Sequence, residues 1–494
     1  MSKLPHRLAV ILFILGLGLT ARLAQYIFNR SLWLDEAFLT FNILERDFAG
    51  FLQPLSDNQI APPGFLCVEK FFVLLFGHSE YALRAFPLIA GIASVLLLYR
   101  VARSSLGLAS AVIAVALLDW SQPLIYYASE VKPYASDVLL ALVAYALCLP
   151  MLRDNAPAPW RRAIVAGLFG AACVWFSYPA AFVLASLGVA LLARPLFRRN
   201  GRRILMPAVV LAMWGVSLAA LYWTVLRQGF ANESLRAFWG DFFATFPPRT
   251  LSDIYWFAQL FFDFLVQSAG MPFYGLATFA WLAGAVVLWK RGQWPMVLTL
   301  VLPLGFAMAA AAMRRYPFFG RTLLFAVPPT LLLMAHGAQA AFRSLVKDSR
   351  AVAVIFIGAL LFHPFYRTLI VLPQPLTTEE IKPVLQHVRD QWQPGDRLYV
   401  YHAAARPFAY YAPRYGFGDE RPYRVGRSSD GNFAILTEDM EAMQGTRVWF
   451  LFVHIYSYSG ISEDAFMLDQ LNQRWPRLDV FKAPGAVVYL YDLR

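Results

Sequence analysis

The chain has 494 residues, 59% of them hydrophobic and only 15% charged. Soluble domains carry about 25% charge, so this composition, with a mean hydropathy of +0.51, indicates a polytopic membrane protein. The formal net charge of +12 invites a nucleic-acid reading. The basic residues instead fall in short clusters between apolar runs, as membrane orientation requires, and form no patch. Cys67, Cys148 and Cys173 lie among apolar residues at no metal-like spacing, which excludes a disulfide framework and a zinc site.

The N-terminus starts like a signal peptide, but its apolar run continues to Phe28 with no small-residue cleavage site, so an uncleaved first span is predicted. With about 20 apolar residues per crossing, eleven spans are predicted, near 8–28, 81–99, 106–123, 134–152, 163–177, 179–193, 204–226, 271–289, 295–313, 320–342 and 351–372. With Lys3 and Arg7 inside, alternate connections hold Arg100 and Arg103; Arg153, Arg161 and Arg162; Arg194, Arg198, Arg199, Arg202 and Arg203; Lys290 and Arg291; and Arg343, Lys347 and Arg350. All fall on one side, as the positive-inside rule asks. The outer face then receives loop 29–80, the loop around Glu130, loop 227–270, the turn around Arg315 and everything after Pro373.

Three outer segments carry unusual charge. In "NRSLWLDEAFLTFNILER", residues 29–46, Leu34, Ala37, Phe38, Phe41, Leu44 and Phe48 recur at helical spacing, predicting an amphipathic interfacial helix. Asp35 and Glu36 sit in its first turn. Either they offset the helix dipole, or they are retained for use, since carboxylates at a membrane surface lose hydration. A second amphipathic helix follows the Pro62-Pro63 turn. "YYASEVKPYASD", residues 126–137, brings Glu130, Lys132 and Tyr134. Glu130 and Lys132 pair with each other on the plainer reading, and Pro133 suits the first turn of the next span. Asp137 falls about one turn into that span, where a lone acid needs a partner. "MRRYPFFGRTLLF", residues 313–325, puts Arg314, Arg315 and Arg321 on the side where charge bias predicts few. Such a cluster suits phosphate, because a guanidinium fork engages two oxygens.

His78, His336 and His363 are scattered and read as packing or hydrogen-bonding residues. No Walker loop, dinucleotide fingerprint or zinc spacing is present. From about Thr377 the character changes. "TTEEIKPVLQHVRDQWQPGD" reads as a Thr-capped helix, "RLYVYHA", "RVWFLFVH" and "AVVYLYDL" as strands, and 462–474 as a helix. Together they predict a small α/β domain with a mostly parallel sheet. The domains are therefore 1–374, membrane-embedded with first outer loop 29–80, and 375–494, outside the membrane.

The order and membrane side of "LWLDEAF", "PPG" with "FGHSEYALRAFP", "YYASEVKPYASD" and "YPFFGRTLLFAVPP" resemble the GT-C superfamily of membrane glycosyltransferases. The nearer likeness is to its family-39 type, which includes protein O-mannosyltransferases and lipid A aminoarabinose transferases. The resemblance covers about residues 8–372. It implies an inverting transfer from a polyprenyl-phosphate sugar to an acceptor hydroxyl of a glycan, lipid or protein, on the outer face of a bacterial inner membrane. It further implies Asp35 as base and Glu36 as an orienting acid. Glu130, Lys132, Tyr134, Asp137, Arg315 and Arg321 would bind donor or substrate, Lys132 standing where relatives often have Arg. Some relatives hold a metal through a histidine that has no match here. No metal ligand is therefore assigned, and a divalent cation stays open. A lipid or lipid-linked-sugar flippase is the alternative, but it should place its ionisable groups near the midplane. A scaffold presenting the C-terminal domain leaves the charged outer loops unexplained.

Overall fold

A computed structural model of the protein describes residues 3–152, 159–197, 204–230, 237–243 and 247–494. Arg153, Arg198, Arg199, Arg202 and Arg203, invoked above for orientation, lie outside the described residues. By its contacts the chain forms two compact units, one of residues 1–28 and 43–375, the other of 29–42 and 376–494.

Each of the eleven apolar runs forms a helix in the first unit. Among the described residues, eight are long and apolar enough to cross a membrane, from Leu8–Ile27 to Arg350–Val371. The three others are shorter: Leu108–Asp119 has 12 residues, Trp160–Phe176 and Tyr274–Lys290 have 17 each. At 1.5 Å per residue a 17-residue helix reaches about 26 Å, short of the ~30 Å hydrocarbon core. The helix Val327–Asp348 lies deepest, with every side chain from Val327 to Gln339 buried.

That helix packs on Tyr274–Lys290 through small residues. A Cβ on Gly337 would collide with the Ala280 carbonyl oxygen, and one on Gly284 with that of Leu333. The backbones touch because neither residue has a side chain, the usual device where lipid removes any hydrophobic drive for helix association. Gly337→Val is expected to separate these helices and cost about 1–3 kcal/mol through overpacking. The check is the melting temperature of the purified variant in detergent, and an unchanged value would refute the close crossing.

In the second unit, five strands pair in the order β2-β1-β3-β7-β6. They are β1 (Arg397–Val400), β2 (Tyr423–Val425), β3 (Arg447–Val453), β6 (Arg477–Ala483) and β7 (Ala486–Asp492), with β4 (Ser457–Tyr458) and β5 (Ile461–Ser462) in a separate ribbon. The sheet is mixed rather than mostly parallel. β1 runs parallel to β2 and β3, whereas β7 is antiparallel to both β3 and β6. The cause is the two-residue turn Pro484-Gly485 between β6 and β7, with Gly485 at φ +65°. So tight a link permits only a hairpin.

The helix Ile381–Gln391 packs on β6 and β7. It buries Ile381, Val384, Leu385 and Val388, a 3.6-residue stripe. It has no Thr cap: Glu380 precedes it without a side-chain cap bond. Glu379 and Glu380 turn instead toward residues 31–34.

Candidate active site

The second unit holds the first acidic pair. The helix Leu34–Glu45 carries Asp35 and Glu36 in its first turn. Most side chains from Leu34 to Ile43 are buried and the rest half-buried, so the segment is not a two-faced interfacial helix. The backbone leading into it is tied by side chains of the C-terminal segment. Glu380 accepts from the Ser31 amide at 3.2 Å and its hydroxyl at 3.0 Å; Tyr411 Oη accepts from the Leu32 amide at 2.9 Å. Glu379 Oε2 accepts from the Leu34 amide at 2.9 Å. Lys382 donates its ammonium to the Asn29 carbonyl, and Arg406 lies 5.2 Å over the Phe41 ring. A carboxylate from Glu379 therefore already serves the helix N-terminus, the task assigned to Asp35 and Glu36 on the plainer reading.

The two acids differ. Glu36 is fully buried and pairs with buried Arg30 at 3.7 Å. Asp35 is half-buried, so its carboxylate keeps access to whatever lies outside. Of the pair, only Asp35 has the exposure that proton abstraction from a substrate requires.

The first unit holds the other candidates. A tight turn joins the helices Gln122–Tyr127 and Tyr134–Cys148, with the Lys132 amide donating to the Glu130 carbonyl at 2.7 Å. Pro133 occupies the position just before the second helix, one residue earlier than expected. Glu130 is fully buried, and the nearly buried Lys132 donates its ammonium to Gln59 Oε1 at 2.7 Å. Tyr127 stacks edge-on between Tyr126 and Tyr134, at 5.0 and 5.2 Å. Burial first, then the Glu130 charge and Tyr134, push its hydroxyl up, while Arg321 opposes them. Tyr134 thus packs on a phenol whose hydroxyl also feels the charges of Glu130 and Arg321.

Arg321 is half-buried on the short helical turn Gly320–Ala326, which the bonds around it hold firmly. Tyr316 donates to the Thr322 carbonyl at 2.6 Å, Thr322 to those of Pro317 and Phe319 at 2.9 and 2.8 Å, and Ser268 to that of Gly320 at 2.7 Å. Phe319 packs on Phe242 at 4.4 Å. Arg315 is exposed and follows Arg314, which sits at φ +54°. Asp137 is buried one turn into its helix and takes a hydrogen bond from Ser177. His336 meets Ser110 at 3.3 Å, a packing contact as expected.

Sequence reasoning passed over several charged groups. Arg22 and Asp119 form a buried ion pair at 2.6 Å. Glu69, on the helix Pro63–Phe76, is fully buried with no hydrogen-bond partner on either oxygen among the described residues. Burial pushes its carboxyl well above the usual range. Spacing gave no hint of either, because each acid sits alone in an apolar run. No group of three or more His, Cys, Asp or Glu side chains is arranged to hold a metal among the described residues.

A family model described as dolichyl-phosphate-mannose-protein mannosyltransferase matches residues 61–223. That stretch contains Glu130, Lys132, Tyr134 and Asp137, but neither Asp35 nor Arg321. No curated protein sequence matches the chain. Among solved structures, ArnT from Cupriavidus metallidurans in the apo state is similar, with TM-score 0.52 and 14% identity over 98% of this chain and 97% of that one. The same protein bound to undecaprenyl phosphate gives TM-score 0.53 at 13% identity, with the same coverage. The oligosaccharyltransferase AglB from Archaeoglobus fulgidus, in complex with an inhibitory peptide and a dolichol-phosphate, gives 0.51 at 14%, over 98% of this chain and 74% of that one. The family match over residues 61–223 and the fold shared with ArnT and AglB agree with the motifs that resemble the GT-C superfamily, in a chain with the apolar helices of a multi-pass membrane protein.

Proposed function

We propose that the protein performs an inverting transfer of a sugar from a polyprenyl-phosphate donor to an acceptor hydroxyl, at the outer face of a bacterial inner membrane. The second unit, on this reading, lies on the periplasmic side. The observation that carries the proposal is that the charges of Arg321 and Glu130 both act on Tyr127, against which Tyr134 packs, with Lys132 in the same turn as Glu130. It supplies fixed cations for an anionic headgroup, in a fold shared with a protein whose structure holds undecaprenyl phosphate.

The chemistry asks for two things. A base takes the proton of the attacking hydroxyl, and the leaving phosphate must be stabilised as its charge grows. A prenyl phosphate is ionised at neutral pH and leaves without a general acid. One guanidinium about 4 Å away contributes about 4 kcal/mol at an effective dielectric of 20. The part of this expressed only in the transition state accelerates transfer. Arg321 and Lys132 are assigned to the donor phosphate, with Arg315 a peripheral cation. Glu130 and Tyr134 hold those cations and the headgroup, and Asp137 braces the span beneath them. Asp35 is the base, and Glu36, through Arg30, sets its helix.

Arg321→Ala is expected to raise the half-saturating donor concentration at least tenfold, and Arg321→Lys to recover only part, since a point charge loses the bidentate geometry. The assay is transfer from a synthetic polyprenyl-phosphate sugar in reconstituted membranes. Equal donor dependence in wild type and Arg321→Ala would remove this role.

A further inference from the structure

The second unit has an open cleft of about 510 Å³, within the range of small-molecule sites. Its lining comes from the ends of β3, β6 and β7, where Phe452 and Tyr489 are themselves buried. Its polar groups are mixed in sign: Lys482 and His454 on one hand, Asp464 and Glu379 on the other. Burial and then the Asp464 charge push the Tyr489 hydroxyl up. A free phosphate or a lipid headgroup gains little from a lining with as many acids as bases. A sugar ring suits it, because its hydroxyls both donate and accept.

His454 has a further tie. Its Nδ1 lies 2.6 Å from Glu379 Oε1, and the other oxygen of that carboxylate accepts from the Leu34 amide. With a carboxylate as its partner, Nδ1 is the donor of this bond. His454 holds φ +53°, a left-handed conformation costly for a residue with a Cβ. The backbone is bent to keep this ring both at the cleft and on Glu379.

We propose that the cleft is a carbohydrate subsite for a sugar ring of the acceptor, and that the His454–Glu379 pair carries its occupancy to the helix bearing Asp35. The acceptor assignment rests on the role given to Asp35 above; sugar binding in the cleft does not.

The test uses the full chain in lipid nanodiscs, probed with methyl α-mannopyranoside, methyl β-glucopyranoside and sodium phosphate. Saturation-transfer NMR is expected to show contact to the ring protons of at least one glycoside. Asp464→Asn/Lys482→Met should weaken it at least fivefold, and phosphate should not compete. Absence of signal, an unchanged signal in the double variant, or competition by phosphate overturns the subsite. Hydrogen exchange at peptide 31–38 is expected to slow when glycoside binds wild type, and to ignore it in Glu379→Ala. Equal slowing in both overturns the link. If Asp35→Asn transfers normally while glycoside still binds, the role of Asp35 fails and the acceptor assignment with it, though the cleft remains a sugar site.

Discussion

Asp35→Asn is expected to lose roughly 10²–10⁴-fold in transfer rate, the span attributed to a positioned general base. Its fold and donor dependence should be retained. Asparagine keeps the shape and can still accept a hydrogen bond, but it takes no proton. Were Asp35 only a dipole partner, the same change would cost about 0.3–1 kcal/mol of helix stability and leave turnover intact. The structure weakens that reading, because Glu379 already accepts from the Leu34 amide. Glu36→Gln makes the contrast. It removes the negative partner of buried Arg30, so its main cost should be stability, with a milder effect on rate. Transfer from a synthetic donor is measured beside thermal unfolding. Near-normal turnover by well-folded Asp35→Asn returns both acids to the plainer reading.

Asp119→Leu is expected to destabilise the first unit by about 3–5 kcal/mol, the cost of leaving one half of a buried ion pair alone. Arg22 is almost fully buried, and its Nη1 donates to Asp119 Oδ1 at 2.6 Å, to the Asp119 carbonyl at 2.9 Å and to that of Gly18 at 3.2 Å. With the carboxylate gone, a guanidinium stays buried with only carbonyl partners. The second change, Arg22→Met on the same chain, should recover most of the loss, because an apolar pair of similar volume restores packing without an uncompensated charge. Melting temperatures of the three purified variants decide it. Equal destabilisation by the single and double variants would show that the charge itself is not what matters.

Sequence reasoning reached the helices because a lipid-facing span must be apolar along its length. All eleven runs could be read that way, yet span length could not, since 17 residues cross only with help from their neighbours. The cluster of Arg314, Arg315 and Arg321 was legible as charge; the turn that holds Arg321 half-buried was not. The difference between Asp35 and Glu36 was not, because adjacent residues on a helix point about 100° apart and only packing shows which side is buried. The mixed sheet was missed for a similar reason: "RLDVFKA" alternates weakly, and its hairpin signal is the dipeptide Pro484-Gly485 alone. Glu379 and Glu380 looked like first-turn acids of their own helix. Their partners lie more than three hundred residues upstream, and no local pattern records so distant a bond.

That separation has a temporal side. Residues 29–42 leave the ribosome early, while the remainder of their unit starts at Leu376. At about 5–20 residues per second, roughly 330 intervening residues take tens of seconds to synthesise. Through that interval the amides of Ser31, Leu32 and Leu34 lack the side chains that bind them in the finished protein. The helix with the proposed base gains these bonds only after Glu379, Glu380 and Tyr411 have been synthesised. A polypeptide stopped short of Glu379 therefore has its spans but an unanchored acid. Activity in this design therefore waits on residues far downstream of the acid it uses.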